Sequence, residues 1–194
     1  MKNPLENLHF TLLIGLVAMV GVAVLVNNDK FSDPAYWLGV LRALHVWVGV
    51  LWIGLLYYFN FVQIPSMKKI PDEQKPAVSK FIAPLALFFF RWAAMATVII
   101  GLVLSYSNGQ LHQSMSFQPG FVAIGIGMWL GIVMWFNVWF VIWPNQKRAL
   151  GIVEATAEIK KLSARRAMLF SRTNALLSLP MLYCMVAQSH MGSV

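Results

Sequence analysis

Charge is scarce in this chain, and acid is scarcest: 7 Asp and Glu stand against 15 Lys and Arg in 194 residues. None of the acids lies inside an apolar run. Ion-coupled transporters and proton pumps place such groups on their path, so those classes are disfavoured from the start. Cys184 is the only cysteine, which excludes an intrachain disulfide, an iron–sulfur cluster and covalent attachment of a c-type haem. No Gly-rich phosphate loop, zincin motif or nucleophile elbow is present. Asn60 and Asn137 have no Ser or Thr two residues on, so neither is a glycosylation acceptor.

What is present is apolar. Hydrophobic residues make up 59% of the chain and charged residues 11%, far from the mix of a soluble domain. About twenty apolar residues cross a bilayer. Runs of that length fall at about 8–26, 36–62, 82–106, 121–143 and 167–188. The expected fold is therefore all-α: a polytopic membrane bundle of five transmembrane helices in a single domain, residues 1–194. The first run is kept as a span because Asn27-Asn-Asp-Lys is a poor signal-peptide cleavage site.

Basic residues set the expected orientation. Lys2 precedes the first run, Lys68, Lys69, Lys75 and Lys80 separate the second and third, and Lys147, Arg148, Lys160, Lys161, Arg165 and Arg166 separate the fourth and fifth. In a five-span chain these segments share one side, the cytoplasmic one. That places the N-terminus in the cytoplasm and the C-terminus in the periplasm of a bacterial inner membrane. The net charge of +8 then matches anionic lipids as partners and needs no nucleic acid. Residues 147–165 read as a basic amphipathic segment on the inner surface.

The chain also repeats itself. Trp52-Ile-Gly54 is followed by Asn60, Pro65 and Lys68, and Trp129-Leu-Gly131 by Asn137, Pro144 and Lys147. Tyr57-Tyr-Phe-Asn60 corresponds to Met134-Trp-Phe-Asn137, and each following run carries an arginine near its start, Arg91 or Arg172. The reading is one helix followed by two parallel helix–loop–helix repeats.

One stretch carries chemistry. Arg42-Ala-Leu-His45-Val-Trp-Val-Gly49-Val-Leu-Trp52-Ile-Gly54 places two ionisable side chains in a membrane-length helix. Lipid penalises such groups, so each needs a partner. His45 and Gly49 share one face, where glycine leaves room beside the imidazole for a flat ligand. Haem b is the candidate cofactor, with His45 as axial ligand, Arg42 as propionate partner, Gly49 as clearance and Trp52 in the lining. His190 falls at a similar depth and His112 lies in the outer loop from which it could fold in; both are candidate second ligands. Copper is the alternative for His45, His112 and His190, with Met115 and Met191 nearby. An ordinary interhelical hydrogen bond is the third account. Arg91 and Arg172, with Asn60 and Asn137 near the same boundary, are candidates for contact with an anion or a lipid headgroup, or for a helix-interface role.

The stretch from Arg42 to Gly54, followed by Tyr57-Tyr-Phe-Asn-Phe and later by Phe90-Arg91-Trp92, resembles the N-terminal membrane domain of bacterial membrane-bound urate oxidases (urate hydroxylases). The shorter His-x6-Trp-x-Gly pattern is similar to the copper-resistance D and haem-containing membrane protoporphyrinogen oxidase families. In the urate oxidase family that domain is joined to a cytochrome c. No Cys-x-x-Cys-His occurs here, so the resemblance implies an external cytochrome c or a larger membrane redox complex as partner. The expected function is a b-haem electron-transfer protein or subunit. The alternatives are an oxidase of urate or a porphyrinogen, a copper-handling protein, and a non-catalytic accessory subunit. The oligomeric state stays open.

Overall fold

The computed structural model describes residues 3–190, and side chains as far as Ala187. Every regular element among them is helical. After a short turn at Pro4–Glu6 come α1 (Leu8–Asn27), α2 (Pro34–Met67), α3 (Lys75–Ser107), the short α4 (Leu111–Met115), α5 (Val122–Ala149) and α6 (Ala157–His190). Among the described residues α1, α2, α3 and α5 are long and apolar enough to cross a membrane. The 34 residues of α6 are also long enough, but Arg165, Arg166 and Arg172 and its buried Ser and Asn residues make it more polar. Residues 147–165 divide among the end of α5, a turn through Gly151 and the first turns of α6.

The chain forms two compact units, residues 1–40 and 41–194. In the first, Asn7 caps α1 by accepting from the backbone N–H of His9 at 2.9 Å, and α1 buries none of its residues. Its Leu, Val and Phe side chains stand open, as suits contact with lipid. Asp33 starts α2 by accepting from Ala35 N–H at 2.8 Å, and Pro34 sits where its missing N–H costs nothing.

Three stretches of the second unit open into wider π-helical turns: Tyr58–Gln63, Val78–Ile82 and Asn137–Ile142. Each ends two residues before a proline, Pro65, Pro84 or Pro144. Proline has no N–H to donate, and its ring clashes with the carbonyl four residues back. Widening the preceding turn absorbs both effects without breaking the helix.

The core of this unit is built from a recurring inward face. On α3 it is Ala83, Leu87, Phe90, Ala94 and Thr97, and on α2 it is Trp52, Leu56 and Phe59. On α6 the buried face is instead small and polar: Ser163, Ala167, Ser171, Asn174, Ser178, Cys184 and Ala187. Small side chains let helix backbones approach closely. At Gly127 of α5 a Cβ atom would lie 3.1 Å from that of Cys184 on α6. Meanwhile Phe61, Phe81, Leu85, Phe140, Leu176 and Leu179 are exposed. Buried serine and asparagine beneath exposed leucine and phenylalanine is the distribution expected when the surrounding solvent is lipid.

Candidate functional site

His45 lies where α2 meets α3. Its ring rests on Gly101: a Cβ atom there would sit 2.8 Å from the imidazole Cε1, 3.2 Å from Nδ1 and 3.7 Å from Nε2. Only a residue without a side chain lets the ring lie in that position. The Thr97 backbone, one turn earlier on α3, lies beside the imidazole. Nδ1 is buried and makes no hydrogen bond of normal geometry to any described residue. One turn along α2, a Cβ on Gly49 would make an ordinary 3.8 Å contact with Thr97 Cγ2. His45 and Gly49 therefore face Thr97 and Gly101 along one small-residue seam. Thr97 turns its own hydroxyl back to the Ala93 carbonyl at 2.7 Å.

Trp52 continues the same face of α2 into the core. It is 1% exposed, and its Nε1 is a second buried polar atom without a partner. Arg42 is exposed on α2. His112 is exposed on α4, and the side chain of His190 lies outside the described residues, as does Met191. No group of three or more His, Cys, Asp or Glu side chains is placed to hold a metal among the described residues. Of the expected set, the structure brings His45, Gly49 and Trp52 onto one face of α2, the first two half-buried and Trp52 buried, and leaves Arg42 and His112 on the surface.

Arg91 and Arg172 differ sharply. Arg91 donates from Nε to the Leu87 carbonyl at 3.2 Å, and its guanidinium lies 3.3 Å from the centroid of the Trp143 ring and 5.7 Å from that of Trp139. Trp139 Nε1 donates to the Arg91 carbonyl at 3.2 Å. The charge thus rests on aromatic faces contributed by α5. Arg172 is exposed on α6.

Both asparagines reach α6. Asn60 Nδ2 donates to the Leu56 carbonyl at 2.8 Å and to Ser171 Oγ at 2.9 Å. Asn137 Nδ2 donates to Asn174 Oδ1 at 2.8 Å, and Asn174 Nδ2 to the Met134 carbonyl at 2.9 Å. Ser178 spends its single hydroxyl proton on the Ala175 carbonyl at 2.7 Å. The 2.9 Å contact between Tyr57 and Ser178 therefore has Tyr57 as donor. Thr97, Gly101, Ser171, Asn174 and Ser178 were not anticipated from sequence. Asn174 had a readable signal, since an amide in mid-helix between apolar residues requires a partner inside a membrane.

Residues 90–194 match the model of a protein family described as urate oxidase N-terminal. No curated protein matches the chain, and no solved structure does.

Proposed function

Because this chain belongs to the urate oxidase N-terminal family, we propose that it is a b-haem electron-transfer module of a bacterial inner membrane. One observation carries the reading: His45 buries an imidazole nitrogen with no partner, inside a helix long and apolar enough to span the bilayer. Burying a polar atom unpaired is costly, and a bond to iron removes that cost. The residues present fit the group through one imidazole: His45 would hold the iron, with its ring resting on Gly101. Haem, when bound, supplies one-electron chemistry whose potential the axial ligand and the surrounding burial tune. His112 and His190 remain the proposed second ligands, and Arg42 the proposed propionate partner.

The rest of the account follows from that placement. The helices Trp52, Phe90 and Trp139 line exclude water from the inner part of the bundle. In our reading α6 is the fifth span, and α2–α3 and α5–α6 are two parallel repeats. Support comes from the two asparagines, each in or at the start of a wide-turn segment and each bonded to α6. The basic loops then face the cytoplasm and anionic lipid, and the electron acceptor is a soluble cytochrome c or a larger membrane redox complex.

Mixing the dithionite-reduced protein with oxidised cytochrome c tests this reading. Transfer that is fast in the wild type and lost in His45→Ala supports it; equal rates in both refute His45 as the ligand. Oxidation of urate or a porphyrinogen is the second reading, favoured by the family's description, and substrate-dependent reduction of the protein distinguishes it.

A further inference from the structure

The wide-turn segment of α2 holds two buried amide oxygens that no described residue satisfies. Asn60 donates both to the Leu56 carbonyl and to Ser171. A carbonyl can only accept, so Leu56 dictates which end of the Asn60 amide is nitrogen. The amide cannot be turned round, and its Oδ1 is left buried without a donor. Three residues on, Gln63 Oε1 is in the same condition. Both side chains leave the same wide-turn segment, Tyr58–Gln63.

The protein contains its own comparison. Asn137 occupies the position that corresponds to Asn60 in the repeated pattern, yet it leaves no fully buried acceptor: Asn137 donates to Asn174, Asn174 donates to the Met134 carbonyl, and the Asn137 Oδ1 is not sealed from the surface. Neither residue has a buried side-chain atom left unpaired. At the offset that aligns Asn60 with Asn137, Gln63 corresponds to Phe140 and Tyr57 to Met134. Polar groups have thus been added on the α2 side alone. The nearby protons are already committed, because Tyr57 donates to Ser178 and Ser178 to the Ala175 carbonyl. What remains at this segment is two buried acceptors with no donor among the described residues, a condition that buried polar groups rarely keep. π-helical turns recur at functional sites for the same reason, since they tilt groups away from helical pairing.

We propose that the seam between α2 and α6 binds a neutral guest that donates hydrogen bonds, taken up by Asn60 Oδ1 and Gln63 Oε1. The guest is neutral because both ligating groups are uncharged and no Asp or Glu lies within the helix-spanning parts of α2, α3, α5 or α6 to hold a cation. An O–H group meets the requirement, supplied either by water or by a membrane-soluble phenol such as a quinol. The inference stands whether or not haem is bound.

Infrared spectra of protein carrying 13C in its asparagine side-chain carbonyls test it, with the Asn60 band isolated by subtracting Asn60→Leu. The band is expected at a hydrogen-bonded frequency. A band that moves toward the free position when a film of the protein is dried, and returns on rehydration, marks water as the guest. A shift with added decylhydroquinone, absent with its dimethyl ether, marks a phenol. A band at the free-carbonyl frequency under all three conditions overturns the proposal. Asn60→Leu also removes the ties to Leu56 and Ser171, so Gln63→Leu, which keeps them, is measured in parallel. There the Asn60 band should move toward the free position; an unchanged band refutes a shared guest.

Discussion

Gly101→Ala turns the packing of His45 into a measurement. The new methyl carbon would stand 2.8 Å from the imidazole Cε1, against about 3.5–4.0 Å for relaxed carbon contacts. The ring must therefore move by roughly 1 Å or leave its rotamer, at about 0.5–1.5 kcal/mol for the rotamer and about 1–3 kcal/mol for overpacking in general. Opposing this is the gain from replacing a mid-helix glycine, about 1 kcal/mol. The net change in the wild type should lie between about 0 and 2 kcal/mol of destabilisation. In a His45→Ala background the clash vanishes and the same substitution should stabilise by about 1 kcal/mol. The coupling between the two sites is thus about 1–3 kcal/mol, read from a double-mutant cycle of unfolding midpoints in detergent. Gly54 serves as control, because a Cβ there meets nothing within 4 Å and Gly54→Ala should stabilise in both backgrounds. If Gly101→Ala has the same effect with and without His45, the imidazole does not rest on Gly101 and the site as described is wrong.

Other consequences can be checked alongside. Asn174→Leu leaves the Asn137 amide unpaired in the core, while the Met134 carbonyl keeps the backbone N–H of Asn137, so it should cost about 2 kcal/mol, whereas Thr173→Leu on the exposed side of α6 should change the midpoint little. Arg91→Gln removes a cation from the Trp143 face, worth about 1–2 kcal/mol, and should lower the unfolding midpoint accordingly; an unchanged midpoint would show that the stacking does not contribute. Pro144→Ala should let the Asn137–Ile142 turns relax toward α-helical spacing and weaken the bond from Asn137 to Asn174, visible as faster amide exchange in that segment. Asp72 is held below the usual carboxylate range by its hydrogen bond and charge pairing with Lys75. Its contribution is present at neutral pH and lost as the pH falls through that lowered value. Since the pair is on the surface, Asp72→Asn should leave the midpoint near neutral pH unchanged.

Composition made the class legible, because lipid-length apolar runs and scarce charge have one physical meaning. Helix ends were less so. The expected break between a surface segment and the last span does not occur, since α6 runs unbroken from Ala157 and nothing in Ala164-Arg-Arg-Ala167 stops a helix. His45 stood out as an ionisable group in an apolar run, and Gly49 and Trp52 followed from helical spacing. Gly101 did not, because its role depends on which residue of another helix meets His45, and periodicity within one helix carries no such information. Asn60 and Asn137 were visible as a repeated pair. Their difference, a fully buried acceptor at Asn60 and none at Asn137, needed Ser171 and Asn174 from α6. The three wide-turn segments follow from proline chemistry once they are seen, but Pro180 inside α6 has no such segment before it, so proline alone did not foretell them.

The account turns on whether an iron porphyrin is held by His45. Reduced-minus-oxidised absorbance spectra of the mildly solubilised wild type and His45→Ala, with haem extracted and counted from both, test this directly. The account predicts a b-type spectrum in the wild type that is lost or strongly altered in His45→Ala, while the helical content of the two proteins stays equal. A wild type purified from haem-replete cells without haem, or a spectrum indifferent to His45, would contradict it.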